Sequence, residues 1–226
     1  MRVLIVGASR GIGYELARQY AGGGAEVIGT FRGAADARRI EALGARALPA
    51  DVLAQGWAAA LAAAVAGAAL DLVIINAGVG GPRTSGLVDP GPAEFDAVMR
   101  SNVLPAMQLI PLLAQPLEAS AGKLVVISSR MGSIGNAGDT ASWLYRASKA
   151  ALNSVLKSAS LELGARGVVC MALHPGWVRT DMGGPEAPLD VVQSVSAVRH
   201  VIAYAGTWEK FVPGAVPCFY RLRPHP

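Results

Sequence analysis

The segment Val3-Leu4-Ile5-Val6 runs without a polar residue into Gly7-Ala8-Ser9-Arg10-Gly11-Ile12-Gly13. Such a short apolar run suits a strand buried on both faces, which a sheet covered by helices on each side provides. A glycine-rich turn leading from that strand into a helix lets the backbone approach a pyrophosphate, whose charge the helix amides and dipole favour. Gly7, Gly11 and Gly13, with Ser9, Arg10 and Ile12 between them, are therefore expected to line a dinucleotide site. A plain glycine-rich turn is the alternative, and the strand and helix on either side argue against it.

The same grammar repeats along the chain. Strand-like runs at 2–6, 26–30, 46–50, 72–75, 123–128 and 168–173 alternate with helix-like stretches at 12–20, 34–43, 53–66, 93–118 and 142–163. Gly22-Gly23-Gly24, Gly44, Gly67 and Gly164 stand where helices should end in a left-handed cap. Parallel strands joined by right-handed helical crossovers follow, with helices on both faces of the sheet. Pro105, Pro111 and Pro116 fall inside the long middle stretch and predict kinks or a break into two helices. Beyond Asp181 the pattern loosens: a helix is expected over 189–204, a brief strand at Phe211-Val212 and a frayed tail over 221–226.

Composition narrows the function classes. A 52% hydrophobic, 16% charged chain of 226 residues is not disordered, and nothing in it forces more than one domain. The net charge of +4 is scattered, so no nucleic-acid partner is expected, and a phosphate-rich cofactor accounts for it equally well. The apolar run 57–70 falls short of the ~18 residues of a membrane span, and the N-terminus does not read as a signal peptide. Cys170 and Cys218 are too few for a disulfide framework and read as free thiols of a cytoplasmic protein.

The second strand ends Gly29-Thr30-Phe31-Arg32, with no carboxylate before Asp36 to bind a ribose diol. Arg32 and Arg10 are placed to meet a 2′-phosphate, which favours NADP(H) over NAD(H); solvated loop arginines are the other reading. Tyr145 and Lys149 stand four residues apart, on one face of a helix. A neighbouring ammonium should lower the phenol pKa towards the range where it trades a proton. By spacing alone the two also read as a surface pair; together with the glycine loop they point to nicotinamide-dependent redox chemistry. His174 reads as a packed or capping residue, and no ligand spacing around it suggests a metal. Trp143 and Trp177 flank the proposed site as pocket walls or as packing residues. Arg130 and Arg146 read as a solvated face or as contacts to an anionic substrate.

With the glycine loop, Asn76-Ala77-Gly78, Ser129 and Tyr145-x-x-x-Lys149 in chain order, residues 1–182 resemble the classical short-chain dehydrogenases/reductases. The stretches 129–135, 145–153 and 174–184 are similar to the C-factor-type subgroup, named for a bacterial developmental signalling protein. The resemblance implies one Rossmann-type, doubly wound α/β domain in three layers. Its mostly parallel sheet would have seven strands, with a small substrate lid near 183–205.

The resemblance further implies reduction of a small-molecule carbonyl, or oxidation of the alcohol, by a homodimer or homotetramer. Tyr145 would be the general acid or base, and Lys149 would bind the nicotinamide ribose. Ser129, rather than Ser128, would polarise the substrate oxygen, and Asn102 would kink its helix and help hold a relay water. Asp51 and Val52 would contact adenine, and Asn76, Ala77 and Gly78 would line the adenosine side. Pro175, Gly176, Val178 and Thr180 would surround the carboxamide. Val6 and Ile75 stand where the family commonly has polar residues, each losing a local contact. The interval from Ser129 to Tyr145 is longer than usual, so the loop 130–144 should bulge. A dinucleotide-binding signalling protein with little turnover is the alternative that the C-factor likeness permits.

Overall fold

The computed structural model of the chain describes residues 1–204 and 219–221. Its elements run β1 (Arg2–Val6), α1 (Gly11–Gly22), β2 (Glu26–Phe31), α2 (Ala34–Glu41), β3 (Arg46–Pro49), α3 (Trp57–Ala64), β4 (Leu72–Ile75), α4 (Gly91–Asn102), α5 (Leu104–Glu118), β5 (Lys123–Ile127), α6 (Trp143–Leu163), β6 (Val169–Leu173), α7 (Val191–Tyr204) and β7 (Phe219–Arg221). The sheet has the order β3-β2-β1-β4-β5-β6-β7, parallel throughout except for antiparallel β7 on the edge of β6.

Side-chain alternation along the strands divides the core into two layers. Leu4, Val6, Val73, Ile75, Leu124 and Val126 pack on one face against α3, α5 and α6, through Leu61, Leu109, Leu113, Leu152 and Leu156. Val3, Ile5, Leu72, Ile74, Val125 and Ile127 pack on the other face against Leu16 of α1, Ile40 of α2 and Val195 and Val198 of α7. Val3 through Val6 are all fully buried, as the unbroken apolar run requires. Truncating a side chain such as Leu109 or Leu113 to alanine is expected to destabilise the fold by about 2–5 kcal/mol.

Successive crossovers wind away from the centre in both directions, so the strand order reverses between β1 and β4. A crevice opens at the carboxyl ends of these two strands. Most of the residues expected to hold a dinucleotide gather there.

The long middle stretch is two helices. α4 ends at Asn102, Val103 departs to φ −116°, and Pro105 stands in the first turn of α5, where its missing N–H is not needed. Pro111 and Pro116 lie within α5. By length and composition Gly91–Glu118 would suffice to cross a membrane, but Leu109, Leu113 and Leu117 are buried in the core of this fold.

Gly24, Gly44 and Gly67 take the expected left-handed conformation. Gly164 does not: the chain continues through a 3-10 turn, Gly164–Arg166, and reverses at Gly167, φ +86°. The strand expected at Phe211-Val212 lies outside the described residues, as do 222–226. Arg221, expected in the tail, belongs to β7. Within the stretch expected as a lid, α7 places Val195, Val198 and Ile202 in the core, and the loop 183–190 before it is tied to 177–179 through Ala187 and Leu189.

Candidate active site

β1 runs out into Gly7, the residue after its last, whose φ of +86° turns the chain across the sheet end. Its N–H donates to Thr30 Oγ1 at 2.8 Å, and its carbonyl accepts from Asn76 Nδ2 at 2.8 Å. A side chain at Gly13 would come within 1.9 Å of the Gly7 oxygen, so close packing of α1 against the loop permits only hydrogen there.

α1 starts without a side-chain cap and with no acid in its first turn, leaving its first amides and partial positive charge directed at the crevice. A cavity of about 210 Å³ lies in front of them. An uncapped helix start facing a glycine cradle fits the pyrophosphate of a dinucleotide.

Of the residues expected to hold that cofactor, Gly7, Ser9, Arg10, Gly11, Ile12, Arg32, Val52, Asn76, Ala77, Gly78 and Thr180 line this one cavity. Gly13 supports the loop from beneath. Asp51 is absent from the cavity lining and accepts from the N–H of Leu53 at 3.0 Å. Pro175 accepts from Ser194 Oγ through its carbonyl at 2.6 Å, and Val178 is buried and bridges to Leu189. Thr30 is the residue sequence reasoning missed: it lines the cavity and accepts from Gly7 beside Val6, where loss of a polar contact was expected. Its one signal is a hydroxyl directly after the apolar run Val27-Ile28-Gly29.

Gly78 joins the cavity to the second cluster. A side chain there would meet Asn102 Oδ1 at 2.9 Å and Lys149 Nζ at 3.5 Å. Asn102 is buried, accepts from the N–H of Val79 at 2.7 Å, and donates to Val79 O and Ser148 Oγ, both at 2.9 Å. Ser148, also missed from sequence, donates in turn to the Tyr145 carbonyl at 2.8 Å. One asparagine thus clamps the strand end after β4 to the start of α6. Lys149 Nζ donates to the Ile127 carbonyl at 2.9 Å and lies 5.7 Å from the centre of the Tyr145 ring. Ser129 Oγ accepts from the Met131 N–H at 3.1 Å and its hydroxyl acts to lower the Tyr145 phenol pKa, whereas the neighbouring Ser128 donates to Asn153 Oδ1 at 2.6 Å.

The electrostatics correct one expectation. Burial raises the Tyr145 pKa above its ordinary value of 10, and only the Ser129 hydroxyl works against it. The ammonium does not lower it: Lys149 Nζ donates to the Ile127 carbonyl, lies 5.7 Å from the ring centre, and is itself pushed down to about 8 by burial. Tyr145 therefore holds its proton at neutral pH, as a proton donor must. His174 is lowered to about 4, first by burial and then by Arg130, and is neutral at pH 7.

The rim is stitched from three loops. Ser142 N–H donates to Thr84 O at 2.9 Å, Trp143 Nε1 to Val88 O at 2.8 Å, and Arg83 Nη2 to Met182 O at 2.7 Å. The long 130–144 loop opens with a 3-10 turn, Arg130–Gly132, and leans on residues 84–88. Arg146 pairs with Asp139 and donates to Ala141 O, so it braces this loop instead of standing on a solvated face. Trp177 donates to Gly183 O at 2.8 Å within its own loop.

Comparison with known proteins agrees with this arrangement. A family model described as short chain dehydrogenase matches residues 1–188. C-signal of Myxococcus xanthus is 39% identical over 134 residues, covering 59% of this chain and 80% of that protein. A solved short-chain dehydrogenase/reductase from Burkholderia multivorans with bound NADP is 32% identical, with a TM-score of 0.83 over 90% of this chain and 91% of that one. A carbonyl reductase from Pseudomonas aeruginosa PAO1 is 30% identical, with a TM-score of 0.81 over 91% and 92% of the two chains.

Proposed function

Because the chain belongs to the short-chain dehydrogenase/reductase family, it is an NAD(P)-dependent oxidoreductase of a small molecule, and we propose that it reduces a carbonyl compound, or oxidises the matching alcohol, with NADP(H). The observation that supports this reading is the protonated Tyr145 phenol near Lys149, whose Nζ lies behind Gly78 on the cavity wall, with the Ser129 hydroxyl acting on the phenol. The bound nicotinamide supplies or accepts the hydride. Ser129 orients and polarises the substrate oxygen, and Tyr145 delivers the proton to that atom, or removes it in the reverse direction. Lys149 offers its ammonium to the nicotinamide ribose hydroxyls. Asn102 is a positioning residue whose amide fixes Val79 and, through Ser148, the backbone of Tyr145.

Preference for the phosphorylated cofactor is supported by Arg10 and Arg32 on the cavity wall and by the lack of a carboxylate at the end of β2. One domain, a lid formed by 183–190, a homodimer or homotetramer and a cytoplasmic location belong to the same reading. Turnover of NADPH with a panel of aldehydes, ketones and quinones tests it. The similarity to C-signal favours one second reading, a dinucleotide-binding signalling protein. Tight NADPH binding without turnover across the panel would select that one.

A further inference from the structure

The two lips of the dinucleotide cavity are joined by an ion pair between residues 171 positions apart: Arg10 Nη1 meets Asp181 Oδ2 at 2.8 Å. Arg10 is the arginine of the glycine loop, and Asp181 follows Thr180 on the loop after β6; all three line the cavity. The backbone on either side of Asp181 is tied within its own loop and to Arg83. Gly184 N–H donates to Thr180 O at 2.8 Å, Gly183 N–H to Thr180 Oγ1 at 3.1 Å, and Arg83 fixes Met182 O. Thr180 is packed so closely on the opposite lip that a side chain at Gly11 would touch its methyl at 3.3 Å. The backbone that carries the carboxylate is therefore tied to this lip, while Arg10 has a long stem and can turn.

We infer that Asp181 is a specificity-determining residue that competes with the cofactor's 2′-phosphate for the Arg10 guanidinium. This rests on the 2′-phosphate reading given above. Without that phosphate, Arg10 is neutralised across the cavity mouth. A dianionic phosphate offers a forked partner of higher charge, and Arg10 exchanges one anion for the other. Both side chains are well exposed, at 66% and 74%, so the pair is weak and the exchange is readily reversible. Asp181 thus lowers affinity for the phosphorylated cofactor alone, and favours its release after turnover.

The test is calorimetric titration of the full chain with adenosine 2′,5′-bisphosphate and with 5′-AMP, which differ by the 2′-phosphate and need no catalysis. Asp181→Asn should tighten the bisphosphate about three- to fivefold, the worth of an exposed pair, and leave AMP unchanged. In an Arg10→Gln background the same substitution should do nothing. Equal changes for both probes, or tightening that persists without Arg10, would overturn the inference, the first by marking Asp181 as a plain clasp. Wild-type protein that does not distinguish the two probes would remove the 2′-phosphate reading itself. Discrimination that Asp181→Asn leaves untouched would remove only the role of Asp181.

Discussion

The two ends of the crevice are built on opposite physical principles. At the phosphate end recognition is backbone geometry plus exposed charge: helix amides without a cap, glycines that admit no side chain, and Arg10 and Arg32 in water. At the proposed chemical end the supporting polar groups are buried and partnered, with Asn102, Ser148 and Lys149 all at most 4% exposed. Exposed guanidinium groups contribute little to folding and can be changed without penalty. Buried polar groups cannot, because each removed partner leaves another unsatisfied. Selectivity at the first end should therefore be tunable independently of stability, whereas at the second end chemistry and stability are tied.

The largest expected effect lies at the buried end. Tyr145→Phe removes the proton donor and keeps the ring, so turnover of any accepted carbonyl should fall by about 10²–10⁴-fold with NADPH affinity nearly unchanged. Stopped-flow hydride transfer and fluorescence titration separate the two, and unaltered turnover would reject the assigned acid. Lys149→Met sharpens the tie between chemistry and stability. The ammonium's pKa in the fold is about 8, against 10.5 for the ordinary side chain. Below pH 8 both folded and unfolded chains are protonated, and the fold carries the strain of a buried cation. Between pH 8 and 10.5 the unfolded chain binds more protons, so wild-type stability rises with pH. The methionine variant should be inactive yet more stable at pH 7, by at most roughly 3 kcal/mol, since each pKa unit is worth about 1.4. That advantage should close as pH rises towards 10.5. Thermal melts across this range in which the variant is the weaker protein throughout would show that its lost contacts matter more than the cation's burial.

Arg32→Asp probes the exposed end and should act on one cofactor only. NADPH should weaken about tenfold, the lower range for a hydrogen bond between charged groups, with NADH and the melting temperature nearly unmoved. Equal losses for both cofactors would place Arg32 outside the phosphate contact.

What sequence could reveal divides along the same line. The strands were legible because a sheet buried on both faces demands contiguous apolar runs, and β1 and β4 match their expected limits. Tyr145 and Lys149 stood out not by their spacing of nearly a helical turn alone, which also reads as a surface pair, but by their company with the glycine loop. Sequence spacing could not foretell the sign of the Tyr145 shift, since desolvation comes from packing that adjacency does not encode. Thr30 with Gly7, Ser148 with Asn102, and Asp181 with Arg10 are joined across 23, 46 and 171 positions. Nor could the apolar pattern of 189–204 tell a lid from a core helix; only the layer against α1 decides it.

The smallest effect separates two adjacent hydroxyls with different jobs. Ser128 and Ser129 are both buried, and in sequence only the Arg130-Met131-Gly132 that follows favoured the second. Ser128 donates to Asn153 Oδ1, and Asn153 in turn donates to the Gly132 carbonyl at 3.3 Å, so this pair supports the turn that carries the site. Ser129 instead accepts from the Met131 N–H and acts on the phenol. Ser128→Ala should therefore lower stability by about 1 kcal/mol and leave turnover within about twofold of wild type. Urea melts and steady-state rates on the same preparation check both halves. A larger loss of turnover with an unchanged midpoint would mean that Ser128, not its neighbour, faces the reacting oxygen, and the partition between supporting and reacting hydroxyls would have to be reversed.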